Sequence, residues 1–395
     1  MKIACIINFI QIYISKLKRK RCMNKYTWIE KFGVKGFVAP FVIEKDSEYF
    51  VDLNNRLTLF IEEISKSGAN DSFIEAMIKY RDAIIKSIDL YYQGEIIDAH
   101  TIISDLLECF NEDDKISVSN INNSIAFWGQ GDEVQFFRVR LTSNVSDFPA
   151  KEMLHIPFGK REIVKSERFS IPGLPCLYLA NTSYACWIEM GRPADYKFNV
   201  SPVLLDNTQK IFNLAVSVRD LKYRYQLWLD GCGDINEEDI LVYLKLIMLN
   251  IATSYKVNQG ERNFKSEYIL PQMIMLACKK RGLDGISYYS KQVNDELFAN
   301  VAGVNLVLFA TYQRDAELSE ICNHIIIGDS FNYSMFKQLS LSLKYKKYSL
   351  RIDTTGRVNN IGTFDRQFPY RETEFYEFDQ YIFANWDKNI DFNEL

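Results

Sequence analysis

Only three histidines occur in 395 residues, and the eight cysteines, at positions 5, 22, 109, 176, 186, 232, 278 and 322, include no C-x-x-C pair. No zinc-ligand spacing can be assembled from such a set, so no metal site is expected. An excess of positive charge is also missing. Lys and Arg number 47 against 51 Asp and Glu, for a net charge of -4, which leaves nothing at the level of composition to neutralise a phosphate backbone, and nucleic acid is not an expected partner. Long apolar runs are scarce as well. Ala4–Ser15 is the nearest to one, but Asn8 and Gln11 interrupt it and the basic cluster KLKRKR follows it. Twelve residues are too few to span a bilayer of roughly 30 Å, and a secretory signal carries its charge before the apolar stretch. Stable membrane insertion is therefore not expected, and residues 1–22 read as a leader, with Met23 as an alternative start. Internal repeats and low-complexity tracts are absent.

What is present describes a globular chain. Hydrophobic residues make up 47% and aromatics 14%, enough for a sizeable core, and the length suits two or three domains. Several cysteines lie in apolar runs such as PCLYLA and MLACKK, where a reduced thiol behaves as a small hydrophobe, so a cytoplasmic location is expected.

From Leu53 to Phe110 apolar residues recur at three and four spacing, with Asp71 or Ser72 placed to cap a helix and Gly94 to break one. Residues 23–123 thus read as a helical N-terminal domain, ending in a polar linker over Asn111–Asn123 (NEDDKISVSNINN). Beyond it, β-branched and aromatic runs at VQFFRVRL, CLYLA, IFNLAVS, GISYY and VNLVLFAT read as strands, with helices over Glu237–Tyr255 and Glu267–Arg281. Residues 124–311 are expected to form a mixed α/β catalytic domain, so the fold class as a whole is α+β. Residues 312–395 are expected to pack on that domain as a C-terminal extension, with a strand-like YSLRID and an aromatic, acidic ending to which no chemistry is assigned.

The most informative segment is RFSIPGLPCLYLANTSYACWIE, Arg168–Glu189. Pro172, Gly173 and Pro175 form a turn, Cys176–Ala180 a short strand, and Thr182 or Ser183 caps a helix that ends near Glu189. A cation, a tyrosine and a carboxylate converging there suit a ligand with a pyrophosphate, a flat base and a ribose. Taken singly, each residue has a plainer reading: Tyr178 as a core tyrosine, Glu189 as a solvated helix residue, Arg168 as a surface arginine. Their order is what favours chemistry.

With FFRVR and HIPFGKR ahead of it, this stretch resembles the RES family, named for an Arg, a Glu and a Ser. Arg168, Tyr178 and Glu189 follow that family's order, and DGISYYS supplies the later serine as Ser290, with Ser287 the weaker choice. Asn305 before LVLFA matches the family's ending. The resemblance covers roughly Phe136 to Phe309. It implies a fold similar to the diphtheria-toxin-like ADP-ribosyltransferases and an enzyme that consumes NAD⁺ as substrate, without metal or other cofactor. Glu189 would stabilise the ribosyl cation, Tyr178 would orient the nicotinamide, and Arg168 would pair with the pyrophosphate. Arg138, Ser290 and Asn305 would complete the nucleotide site. The resemblance further implies a toxin or defence effector, including phage defence, restrained by an antitoxin or regulatory protein. Protein ADP-ribosylation, or a non-catalytic interaction role on a decayed RES fold, are the alternatives.

Overall fold

A computed structural model describes residues 25–34, 36–124, 134–143, 147–292, 303–342, 360–363 and 366–386. The expected leader and the YSLRID segment lie outside the described residues. The chain is a mixed α and β structure, and its N-terminal third is helical. Helix α1 (Tyr49–Ser67) buries Tyr49, Leu53, Leu57, Phe60, Ile61 and Ile64 along one stripe and ends at Gly68, whose φ of +96° suits only a residue without Cβ. Helix α2 (Asp71–Tyr92) begins one residue earlier than the sequence suggests: the cap is Asn70, whose side chain accepts from the Phe73 amide at 3.2 Å. After the break at Gly94, α3 (Ile96–Leu107) buries Ala99, Ile103 and Leu107.

The segment expected to be a linker is exposed at Asn111, Glu112, Asp113, Lys115 and Asn123 but buried at Ile116, Ser117, Val118, Ser119 and Ile121. Asp114 accepts from the amides of Ile116 and Ser117, each at 2.7 Å, and Ile116, Ser117 and Val118 are all buried. Asn111 and Asp114 accept from backbone amides of the segment, a local use of polar side chains that composition alone does not reveal. Val118–Asn120 forms an edge strand, β2, that pairs antiparallel with Lys210–Asn213. A first short strand, β1 (Phe41–Ile43), pairs parallel with Tyr255–Val257 outside the main sheet.

The remaining strands are β3 (Val134–Leu141), β4 (Cys176–Ala180), β5 (Phe198–Leu205), β6 (Lys210–Asn213), β7 (Tyr255–Val257), β8 (Gly285–Tyr289), β9 (Val304–Phe309), β10 (Ile325–Ile327) and β11 (Phe331–Asn332). Among the described residues the main sheet runs β10-β5-β3-β4-β9-β8-β6-β2, with β11 also on β5. It is mixed: β6 and β8 are parallel and the other pairs antiparallel. Strand β5 is buried at all eight positions, so it shows no alternation, and Pro202 inside it argues against a strand from sequence. Pro202 falls between the partners of β10 and those of β11, where the ladder on that side is interrupted.

Helices α4 (Ser183–Glu189), α5 (Val218–Leu229), α6 (Glu237–Thr253), α7 (Ile269–Lys280), α8 (Tyr333–Ser342) and α9 (Glu374–Ala384) cover the sheet. Alternation along the strands divides its faces. On β4 and β9, Leu177, Leu179, Leu306 and Leu308 join Phe136, Met153 and Ile325 in one apolar cluster, while Val307 and Phe309 face the other way. That second face meets two clusters. One runs without a break from Trp28, Phe60, Met77 and Ile103 through α5, α6 and α7 to Ile286 and Tyr288. The other joins Phe137, Val139, Ala180 and Cys186 to Phe336 of α8 and Phe378 of α9. The N-terminal helices thus share their core with the sheet.

Candidate active site

Between those two clusters lies a cavity of about 320 Å³, lined among others by Arg138, Glu167, Arg168, Tyr178, Ala180, Glu189, Tyr268, Tyr288, Lys291 and Asn305. Volume does not single it out, since a cavity of about 520 Å³ opens around Lys151, Glu317 and Glu320. Its walls do.

Sheet register brings the first group together. Asn305 on β9 lies opposite Ala180 of β4 on one side and Tyr288 of β8 on the other. Helix α4 adds the carboxylate. Thr182 caps this helix by accepting from the Ala185 amide at 3.0 Å, which resolves the choice between Thr182 and Ser183. The amide of Ser183 donates to Asp379 of α9 at 3.2 Å, and Asp379 also accepts from the Tyr370 hydroxyl at 2.6 Å. Burial raises the Asp379 carboxyl to about 7. Gly191, at φ +76°, then terminates the helix, leaving Glu189 in its last turn. A carboxylate there opposes the helix dipole. Asn305 offsets this by donating Nδ2 to Glu189 Oε1 at 2.6 Å.

Arg168 reaches the site from the other cluster and is 6% exposed. Its Nη1 donates to the Tyr289 carbonyl at 2.7 Å and its Nη2 to Ser254 Oγ at 3.0 Å, with the Tyr288 ring 4.9 Å below. Burial holds its pKa below the ordinary arginine value, opposed by Tyr288 and the Glu189 carboxylate. Ser254 in turn donates to Asn250 at 2.8 Å, and Tyr49 of α1 donates to the Ala252 carbonyl at 3.0 Å. The N-terminal helices therefore brace the wall that holds Arg168.

Among the described residues, two buried polar atoms in this cavity find no partner: Nε of Arg168 and Oδ1 of Asn305. Leaving a buried donor or acceptor unpaired costs on the order of 1–3 kcal/mol each, and such atoms in a cavity point to a ligand that supplies the missing acceptor and donor.

Five of the six residues singled out by sequence, Arg138, Arg168, Tyr178, Glu189 and Asn305, line this one cavity. Their hydrogen bonds differ in part from expectation. Arg138 gives Nη1 to the Tyr178 carbonyl at 2.8 Å and Nε to the Met153 carbonyl at 3.3 Å, and burial first, then neighbouring Arg140, lowers it to about 10. The Tyr178 hydroxyl donates to Ser170 at 3.1 Å, and burial raises its pKa. Ser290 is buried just beside the lining residues, and its Oγ accepts from the Gln292 amide at 3.1 Å. Ser287 faces away, into a closed network with Asn213. Sequence reasoning missed Tyr268, Tyr288 and Lys291. Alternation in GISYY puts Tyr288 on the face of Ile286, and Lys291 directly follows Ser290, so both were within reach of the pattern. Tyr268 fell at the start of the helix expected over Glu267–Arg281, whereas it closes a short turn ahead of α7, and nothing in the pattern aimed it at the site.

Lys291 is partly buried. Its Nζ donates to the Tyr268 hydroxyl at 3.2 Å, and burial and then Arg168 push its pKa down to about 8 against the pull of Glu267 and Glu189.

No family model matches the chain. It is 30% identical over 295 residues to a Bacillus subtilis (strain 168) protein named "Putative toxin YopC", an alignment covering 71% of this chain and 64% of that protein. The chain thus spans somewhat less than two thirds of that relative's length. A chain from the crystal structure of the M. tuberculosis MbcT-MbcA toxin-antitoxin complex aligns with 60% of this chain and 97% of its own. At 12% identity and a TM-score of 0.28, that likeness carries no argument. No described helix is long and apolar enough to cross a membrane.

Proposed function

We propose that the chain is an NAD⁺-consuming enzyme that cleaves the nicotinamide–ribose bond, on a fold related to the RES and diphtheria-toxin-like ADP-ribosyltransferases. One observation carries the reading: a carboxylate held by an amide, Glu189 on Asn305, shares a cavity with cations, tyrosine rings and two unmatched buried polar atoms. Departure of nicotinamide leaves positive charge on the ribose, and a fixed carboxylate stabilises it without moving at the moment of reaction. Asn305 holds Oε1, so Oε2 is the oxygen placed to meet the ribosyl cation or a ribose hydroxyl. Tyr178, Tyr268 and Tyr288 supply flat apolar walls for the base, and burial keeps their hydroxyls protonated. Arg168 Nε offers one further N–H to an anionic or carbonyl oxygen.

The relative that bears a toxin's name supports a toxin or defence role. Such an enzyme is restrained by a partner protein, and its substrate pool places it in the cytoplasm, where the described cysteines, all free thiols, are stable. The N-terminal helices are built into the same core as the cavity, so restraint is assigned to a separate chain rather than to them.

The test is to incubate the purified chain with NAD⁺ and identify products by mass. Nicotinamide release that is lost in Glu189→Gln upholds the reading, and the second product, ADP-ribose, ADP-ribose phosphate or a modified protein, distinguishes hydrolysis, phosphorolysis and transfer. Intact NAD⁺ after prolonged incubation with folded protein, with no protein labelled, would refute it.

A further inference from the structure

The cations of the cavity differ in how much donor capacity they retain. Arg138 is tied to two backbone carbonyls, and Arg168 has both Nη atoms engaged. An ammonium carries three N–H donors. Lys291 uses one, toward the Tyr268 hydroxyl, and lies 4.4 Å from the centre of that ring. Lys265 also approaches the Tyr268 ring, at 4.7 Å.

Two of the carboxylates near this corner are committed elsewhere. Glu267, the nearest buried acid in sequence, is bound through both oxygens to Arg262, at 3.0 and 2.7 Å, and Arg262 is further paired with Asp46. Glu189 is held by Asn305. Among the described residues Lys291 makes no ion pair, although Arg168 and Lys265 both repel its charge. Glu167 also lines the cavity but is exposed to solvent. Three cations gather near one tyrosine with Glu189 and Glu267 bound to other groups, and Lys291 keeps donors for an anion.

We infer that Lys291 is the anion subsite of the cavity and binds a phosphoryl oxygen, from the pyrophosphate of the bound dinucleotide or from free phosphate. The inference rests on the NAD⁺ reading and reassigns the phosphate contact from Arg168 to Lys291. Because the Nζ pKa is lowered to about 8, the subsite is charged at neutral pH and loses its charge above it. Anion affinity therefore falls as pH rises through 8; the charged and titratable groups around Lys291 are Arg168, Lys265, Glu167, Glu189, Glu267, Tyr268 and Tyr288.

The experiment titrates the full chain, Lys291→Gln and Lys291→Met with ADP-ribose, inorganic phosphate and nicotinamide riboside by calorimetry at pH 7 and pH 9.5, after checking that all three forms melt alike. For the wild type, ADP-ribose affinity should drop about tenfold between the two pH values. Both variants should bind ADP-ribose about tenfold more weakly at pH 7 and show no further drop at pH 9.5, while nicotinamide riboside, which lacks phosphate, should bind all forms alike. A loss confined to inorganic phosphate would uphold the subsite and identify free phosphate as its anion. Wild-type affinity for both anions in both variants, with the pH dependence intact, would overturn the inference while leaving the NAD⁺ reading in place. Failure of the wild-type chain to bind either ADP-ribose or nicotinamide riboside would remove both.

Discussion

Ser287 and Ser290 lie three residues apart at the end of β8, and both are buried, yet Ser287 belongs to a closed polar cluster while Ser290 directly precedes Lys291, which lines the cavity of an open one. Ser287 donates to Asn213 Oδ1 at 3.1 Å, Ser124 donates to the same oxygen, and Asn213 Nδ2 donates to the Ile116 carbonyl at 2.9 Å and to Ser119 at 3.2 Å. Every donor and acceptor of that amide is used. In the other cluster, Asn305 donates its Nδ2 to Glu189, and among the described residues its buried Oδ1 is unmatched, as is the Nε of Arg168 in the same cavity. Both asparagines sit on strands of one sheet. The closed cluster fastens the former linker segment and β2 to the sheet, whereas the open one surrounds a cavity. Satisfied polar burial marks structure; unsatisfied polar burial beside a void marks a ligand.

The largest expected effect is on the open side. Glu189→Gln should lower NAD⁺ turnover at least a hundredfold, about 3 kcal/mol of transition-state stabilisation, with the melting temperature almost unchanged. A folded variant with near-normal turnover would take Glu189 out of the chemistry. On the closed side the signature reverses. Asn213→Leu strips partners from three hydroxyls and a carbonyl, so unfolding free energy should fall by about 3 kcal/mol while turnover per folded molecule holds. Denaturant titration decides this, and an unchanged midpoint would mean the network is not structural.

A third cluster sharpens the comparison because it is satisfied but titratable. Asp379 is fully buried on donors from Ser183 and Tyr370, and its pKa is raised to about 7. A carboxyl with a raised folded-state pKa binds its proton more tightly when folded, so its stabilising effect is complete below the unfolded value near 4 and is lost as pH rises through about 7. Between pH 5 and pH 7.5 the wild type should lose roughly 2 kcal/mol of stability relative to Asp379→Asn. Parallel stability curves for the two proteins would show that Asp379 does not titrate in that window. The smallest effect is expected at Asn305→Leu, which removes one bond to Glu189 together with an unmatched acceptor. Turnover should fall about tenfold and stability should change by less than about 1 kcal/mol, and a large loss of stability would place Asn305 with Asn213 instead.

Much of this was legible in the sequence. The ordered Arg168, Tyr178 and Glu189 with Asn305 converge on one cavity as the spacing suggested, because turn, strand and cap signals between them are local and unambiguous. The strands VQFFRVRL, CLYLA, GISYY and the core of VNLVLFAT, and the helices over α6 and α7, were readable for the same reason. Other features depend on contacts far apart in the chain. The polar run 111–123 reads as a linker until Asn213 and Asp114 are seen to absorb its hydrogen bonds. Strand β5 carries no alternation, being buried on both faces. Helix α9 looked like an acidic tail, although its Asp379 secures the start of the helix that bears Glu189.

On the NAD⁺ proposal, the two unmatched atoms await the substrate. A crystal structure of the full-length Glu189→Gln protein soaked with NAD⁺ tests it directly. The dinucleotide should lie in the cavity between Tyr178, Tyr268 and Tyr288, with a ligand acceptor within hydrogen-bond distance of Arg168 Nε and a ligand donor on Asn305 Oδ1. NAD⁺ bound elsewhere, or bound there with both atoms still unpartnered, would contradict it.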